Sequence, residues 1–153
     1  MLRALTGFFD QTFGAADAAE PASREHELQL ATAVLLVEVA RADFAEDEIE
    51  LDAVAVLLRS HLGIRKHEAE RLVADARGQA DHAASLQAFT RQLHEELGTA
   101  DKLKIVEMLW RVALADKTLD KHEDHLIRKV AGLLYVSHSD LLKIRNRVAE
   151  EPD

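Results

Sequence analysis

Two short acidic segments contain the residues of this sequence that are best suited to chemistry. Each has the pattern A-D-x-x-x-D-x-x-E, the first from Ala42 to Glu50 and the second from Ala115 to Glu123. Carboxylate oxygens are the ligands that hard divalent ions such as Ca²⁺ prefer. If the two segments pack together, up to six carboxylates converge, and their mutual repulsion has to be neutralised. The candidate cation ligands are Asp43, Asp47, Glu50, Asp116, Asp120 and Glu123.

A second interpretation explains four of these acids without any ligand. The pairs Asp47-x-x-Glu50 and Asp120-x-x-Glu123 have the spacing of a capping box, in which the Asp accepts a free backbone N–H and the Glu reaches back to the cap residue. Such a cap stabilises a helix by about 1 kcal/mol, and the helix dipole favours both negative charges. The pattern alone leaves both interpretations open.

The first aspartate of each segment is harder to explain as a cap. Asp43 and Asp116 fall near the C-terminal end of the preceding predicted helix, where the dipole disfavours an anion. Either the N–H groups of the following helix or a bound cation could compensate. Nearby basic side chains could also neutralise the acids, namely Arg41, Lys104, Lys117 and Lys121.

The acidic segments belong to a longer internal repeat. Shifting the chain by 73 positions lays residues 34–50 over residues 107–123, with matching Ala-Asp pairs and matching later acids. The similarity continues to about 73 in the first copy and 145 in the second. We therefore predict two similar helical halves, joined by a helix at about 81–97.

Apolar residues recur at three- and four-residue spacings throughout the chain, which predicts an all-helical fold without strands. We expect one domain over 24–153. Its first long helix should be central to the core, Trp110 should be buried, and Ile49, Val54, Leu57 and Leu58 should point inward. Ser23, Asp81 and Thr99 are predicted N-caps. The predicted helices are 23–42, 47–62, 66–79, 81–97, 99–115, 120–135 and 137–150.

Residues 1–23 are predicted to be an amphipathic arm and a linker. The arm places several large apolar side chains on about one side of a helix, and it either packs on its own domain or docks on a protein partner that the sequence does not identify. Its only basic side chain is Arg3, so we do not expect it to bind a membrane surface. The apolar residues are Leu2, Leu5, Phe8, Phe9 and Phe13.

Composition excludes several other classes of protein. The 153 residues carry 28 acidic and 19 basic side chains, a net charge of −9, so we expect no nucleic-acid partner. The absence of Cys removes disulfides and Cys-rich zinc sites, and no apolar run reaches the length of a membrane span. We expect a cytoplasmic protein.

Familiar metal and catalytic motifs do not fit. The acids are too closely spaced for an EF-hand loop, and His122 and His125 are three residues apart rather than the four that a zinc-protease helix requires. Ordinary surface histidines are the simpler interpretation. Motifs for acyl hydrolysis, nucleotide hydrolysis and dinucleotide binding are missing.

The duplicated acidic pattern, each copy following an apolar helix, resembles the tellurite-resistance protein TerB family. It is also similar to the related helical domain of some membrane-anchored DnaJ-type co-chaperones. The resemblance covers about 27–148 and implies an all-helical fold of two similar halves, an association with stress or tellurite resistance, and a divalent-cation site at the six acids named above. The Gly that usually follows the first Asp in the family is Phe44 in one copy and Lys117 in the other.

Together these observations predict a non-enzymatic, TerB-like protein that binds a divalent cation, with Ca²⁺ as the first expectation. The alternative is a helical protein-interaction module in which the acids are only caps. A catalytic carboxylate site is a third interpretation, and it has the least support because no substrate pocket follows from the sequence.

Overall fold

The computed structural model of the protein describes residues 21–42, 48–81, 86–115 and 118–151. Within these ranges all regular structure is helical and no strand occurs, which confirms the predicted class. The predicted arm lies outside the described residues. The helices are α1 (Pro21–Ala40), α2 (Glu48–Leu62), α3 (Lys66–Asp81), α4 (Leu86–Glu96), α5 (Thr99–Ala113), α6 (Lys121–Leu133) and α7 (His138–Glu150).

Helix α1 is the centre of the core, as predicted. It packs against α2, α3, α4, α5 and α6. Apolar side chains cover most of its circumference, and Leu28, Leu35, Leu36 and Val37 are fully buried. A helix that is apolar nearly all round can only be stable when other helices surround it.

Helix α5 is the second central helix. It packs against α1, α2, α6 and α7. Trp110 is fully buried, which confirms its predicted place in the core, and its indole Nε1–H donates to the carbonyl oxygen of Leu141 at 3.2 Å. This bond satisfies the one polar atom of the ring, which a buried Trp requires. It also ties α5 to α7.

The helix contacts occur in matched pairs. Helix α1 packs on α2 and α3, as α5 packs on α6 and α7; the two central helices also contact each other. Helix α2 crosses onto α5, and α6 crosses onto α1. This is the arrangement that two similar halves would produce, although the duplication itself stays a prediction.

Three predicted N-caps were wrong. Helix α1 begins at Pro21, so Ser23 lies in its first turn; proline suits that turn because its missing N–H has no partner to lose there. Asp81 is the last residue of α3 and does not cap the next helix. The residues between Gly78 and Asp81 include no Gly or Pro that would end α3 earlier. Gly98 is the N-cap of α5, and Thr99 is its first helical residue.

The inward face of α2 was predicted correctly at three of four positions. Val54, Leu57 and Leu58 are buried, but Ile49 is 57% exposed. The neighbouring Glu50 is buried instead, at 3% exposure. One residue is a turn of about 100°, so the start of α2 directs a carboxylate inward and an isoleucine outward.

Two helices end in a residue with left-handed backbone conformation. Gly63 follows α2 with φ 69°, and Tyr135 follows α6 with φ 60°. The two positions correspond in the repeat. Glycine adopts this conformation readily, whereas a residue with a Cβ is destabilised there by about 1–2 kcal/mol. Tyr135 is also 78% exposed, so burial of its ring does not offset that strain.

An ion-pair network joins α5 to the C-terminal ends of α2 and α7. Glu107 Oε2 accepts from Nη2 of Arg111 at 2.8 Å, and its Oε1 accepts from Nη2 of Arg147 at 3.1 Å. His61 Nε2 lies 3.7 Å from Glu107 Oε2. Arg111 also forms a two-pronged pair with Glu151, at 2.8 and 2.7 Å.

The network sets the protonation of Glu107. Partial burial alone would raise the pKa of this carboxyl, but the hydrogen bond and charge of Arg111, followed by the charges of His61 and Arg147, hold the pKa below its ordinary value. The contribution to stability is therefore complete above the pKa of the unfolded chain, and it is lost as the pH falls through the lower pKa of the folded protein.

We predict that Glu107→Gln lowers the free energy of unfolding at neutral pH by about 1 kcal/mol, since these partly exposed pairs are screened by solvent. The difference from the parent protein should shrink in acid, where Glu107 itself becomes protonated. Urea unfolding at neutral and acidic pH measures this, with Glu70→Gln on the exposed side of α3 as the matched control. A difference that does not change with pH would contradict the assignment.

Candidate cation site

The two acidic segments border a single groove. The groove has a volume of about 760 Å³ and lies between the C-terminal end of α1 and the N-terminal end of α6, which pack together. Ala42 lines it immediately before Asp43, and Lys121 lines it immediately after Asp120. The fold therefore places the C-terminal end of α1, which precedes the first acidic segment, next to the N-terminal end of α6, which contains the last residues of the second segment. The described lining is Glu38, Arg41, Ala42, Lys121, His122, His125 and Leu126.

At the α6 side of the groove, the acids form a capping box. Asp120 is the N-cap, and its Oδ2 accepts from the backbone N–H of His122 at 2.8 Å. Glu123 Oε1 accepts from the backbone N–H of Asp120 at 3.3 Å, and the side chain of Asp120 is bonded to the backbone of Glu123 in return. These bonds satisfy N–H groups that the first turn of a helix leaves without partners. The capping interpretation is thus confirmed for this pair.

Glu50 and Glu123 occupy equivalent places in the two repeats, and both are buried. Glu50 is 3% exposed and Glu123 is 1% exposed, and Oε1 of Glu50 is shielded from solvent. Charged carboxylates are almost never this buried unless other groups compensate the charge. The described lining of the groove contains neither of them.

The remaining acids of the predicted set lie outside the described residues. These are Asp43, Asp47 and Asp116. In the part of the chain that the structure describes, no three His, Asp or Glu side chains approach one another closely enough to hold a metal ion. The described half of the set thus consists of Glu50, Asp120 and Glu123, of which the last two are joined by the cap.

Basic groups also line the groove. Arg41 and Lys121 were predicted as possible partners of the acids, and both are found there. His122 and His125 are exposed, as expected of surface histidines, and His122 Nδ1 lies 3.5 Å from Asp120 Oδ2. Sequence reasoning missed Glu38 and Leu126. Helical spacing could have found them, because Glu38 lies one turn before Ala42 and Leu126 one turn after His122.

The fold and the groove define an all-helical protein in which each helix that follows an acidic segment, α2 and α6, packs on the central helix of the other half. Comparison with known families agrees with this class: a family model described as tellurite resistance protein TerB matches residues 29–146. The match covers most of the chain, so the chain belongs to the TerB family. No curated protein and no solved structure matched it. None of the helices described here is long and apolar enough to cross a membrane.

We predict that Asp120→Ala lowers the free energy of unfolding by about 1 kcal/mol, because α6 loses its N-cap, and that Asp120→Ser retains most of the stability. Urea unfolding in the presence of a chelator measures the cap without any contribution from a cation. Asp75→Ala, at an exposed position within α3, is the matched control. Equal stability of the alanine and parent proteins would show that the capping box does not hold α6.

Proposed function

We propose that this TerB-family protein is a non-enzymatic, cytoplasmic component of tellurite or stress resistance that binds a divalent cation, Ca²⁺ in the first instance. The observation that carries the proposal is the meeting of the α1 end and the α6 start at one groove. The ligands would come from both repeats: Asp43, Asp47 and Glu50 from the first, and Asp116, Asp120 and Glu123 from the second.

The chemistry of the donor set supports this proposal. All six candidates are carboxylates, the hard oxygen donors that suit Ca²⁺ better than softer metals. Two of them, Glu50 and Glu123, are buried at matching positions, where a nearby positive charge interacts with a carboxylate more strongly than it would in water. A bound cation would neutralise the converging carboxylates and hold together the helix starts that carry them.

The helix crossings support a contribution from both repeats. Helix α2, whose first turn contains Glu50, packs on α5, and α6, whose first turn contains Glu123, packs on α1. Each acidic helix start is therefore carried on a helix that contacts the central helix of the other half.

Capping and cation binding are compatible at Asp120 and Glu123. The cap bonds given above use both side chains as hydrogen-bond acceptors, and a carboxylate has two oxygens, each with more than one lone pair. A cation would then bind acids that the cap has already oriented. Such orientation lowers the entropy lost when the ion binds.

The alternative function is a protein-interaction module in which the acids act only as caps. The completed capping box favours it at Asp120 and Glu123. Ile49 and Val56 are exposed apolar side chains seven residues apart on the same face of α2, and they provide apolar surface for a partner. This alternative requires partner binding that survives chelation of all divalent ions.

The direct test of the cation proposal is a thermal melt of chelator-stripped protein with and without excess Ca²⁺, Mg²⁺ and Mn²⁺. An ion that binds the folded state stabilises it by about 2.7 kcal/mol at a hundred times its Kd. For a chain of this size that is a Tm increase of roughly 5–10 °C. The absence of a shift with every ion would reject the cation and leave the interaction module.

A charge-removing pair separates the two functions further. Glu50→Gln with Glu123→Gln removes both buried charges, while a Gln at the third helical position still completes a capping box. We expect the double variant to fold in chelator and to lose the ion-dependent increase in Tm. The matched control is Glu70→Gln with Glu150→Gln, two exposed glutamates; an ion-dependent increase that persists equally in both double variants would contradict ligation by the buried pair.

A further inference from the structure

A second recess lies at the opposite end of α6 from the acidic groove. Its volume is about 260 Å³, and it is formed between α4 and the end of α6. Helix α6 has 13 residues, so roughly 20 Å of helix separates the recess from the groove. The lining residues are Gln87, Thr90, Arg91, His94, Leu133 and Tyr135.

Tyr135 lines this recess from a turn with left-handed backbone conformation. Tyr135 has a left-handed φ of 60° in the turn that follows α6. In this turn the N–H of Val136 donates to the carbonyl of Ala131 at 2.9 Å, and the N–H of Tyr135 donates to the carbonyl of Gly132 at 3.1 Å. The equivalent turn after α2 uses Gly63, which carries no such strain. A strained residue at a position where glycine would serve indicates a use for the side chain.

The contact between His94 and Lys102 indicates which ring nitrogen of His94 accepts a hydrogen bond. Lys102 Nζ donates a hydrogen bond to His94 Nδ1, and an ammonium group can only donate, so Nδ1 must be the acceptor. The neutral ring then carries its proton on Nε2, which makes Nε2–H a donor. The ring centroid of His94 lies 4.5 Å from that of Tyr135, so the two aromatic rings are in contact. Burial also lowers the pKa of Lys102, as expected for an ammonium group withdrawn from water.

Arg91 provides the charge. Within the described part of the chain its guanidinium takes part in no hydrogen bond or ion pair, although acidic side chains outnumber basic ones by 28 to 19. Its five N–H donors have a planar arrangement that matches carboxylate and phosphate oxygens. The carbonyls of Val130, Ala131 and Gly132 already accept backbone hydrogen bonds, which weakens the repulsion that the end of α6 would exert on an anion.

We propose that this recess binds a small oxyanion, a carboxylate or a phosphate, through the guanidinium of Arg91 and the Nε2–H of His94, with the ring of Tyr135 closing one side. The recess is smaller than the pockets that hold drug-sized ligands, so it selects a small ion or the anionic end of a small metabolite. Lys102 is a positioning residue that fixes the tautomer of His94. This site is independent of the cation at the acidic groove.

The test is an NMR titration of the full chain with sodium phosphate and, separately, with sodium acetate, at constant ionic strength set with sodium chloride. We expect saturable shifts at Arg91 Nε, His94 and Tyr135. The anion that binds more tightly shows whether the recess prefers a phosphate or a carboxylate. Before any ligand is added, the ¹⁵N shifts of His94 should show a bare Nδ1 and a protonated Nε2. A proton on Nδ1, or the absence of saturable shifts with both anions, would overturn the proposal.

Two variants make the test specific. Arg91→Gln should weaken binding roughly tenfold or more, because charged hydrogen bonds are lost, whereas Arg71→Gln, at an exposed position on α3, should not. Tyr135→Gly should fold with a Tm within roughly 4 °C of the parent protein, because glycine suits the turn. It should nevertheless bind the oxyanion more weakly than the parent protein does. Equal affinity of the Arg91 and Arg71 variants would show that the shifts reflect nonspecific screening, and parental affinity in Tyr135→Gly would remove the ring from the site.

Discussion

The packing of two apolar helices, α1 and α5, against each other is the constraint on which the other features depend. Both helices are buried along most of their length, and burying each large apolar side chain contributes on the order of 1.5–3 kcal/mol. Neither helix can rotate or slide without exposing that surface. Their ends are therefore fixed, and the polar segments that follow them must leave the core at defined places.

That constraint explains why acids and bases meet at the groove. The end of α1 carries a partial negative charge and the start of α6 a partial positive charge, so acids are stabilised at α6 and destabilised after α1. The capping box of Asp120 and Glu123 uses the favourable end. Arg41 and Lys121 add positive charge at the same place, and a cation would add more. The described lining of the groove therefore holds acidic and basic side chains side by side.

Features that depend on local sequence were predictable here, and features that depend on distant packing were not. The period of apolar residues predicted the seven helices of the described residues and the central place of α1, and the Asp120–Glu123 spacing indicated the capping box as one of two interpretations. The direction of Ile49 was misjudged because the orientation of a helix's first turn depends on what it packs against. The recess of Arg91, His94 and Tyr135 joins side chains from two distant parts of the chain, α4 and the end of α6, and only the replacement of the repeat's Gly63 by Tyr135 could have indicated it.

The most direct measurement of the central claim, that acids from both repeats share one cation site, is paramagnetic broadening by Mn²⁺ in NMR spectra of the full chain. Substoichiometric Mn²⁺ should broaden the amides at the end of α1 and at the start of α6 together with that of Glu50, while the far end of α6 near Tyr135 stays sharp. Ca²⁺ should then restore the lost signals. Broadening limited to one repeat, or spread evenly over all exposed acids, would contradict the account.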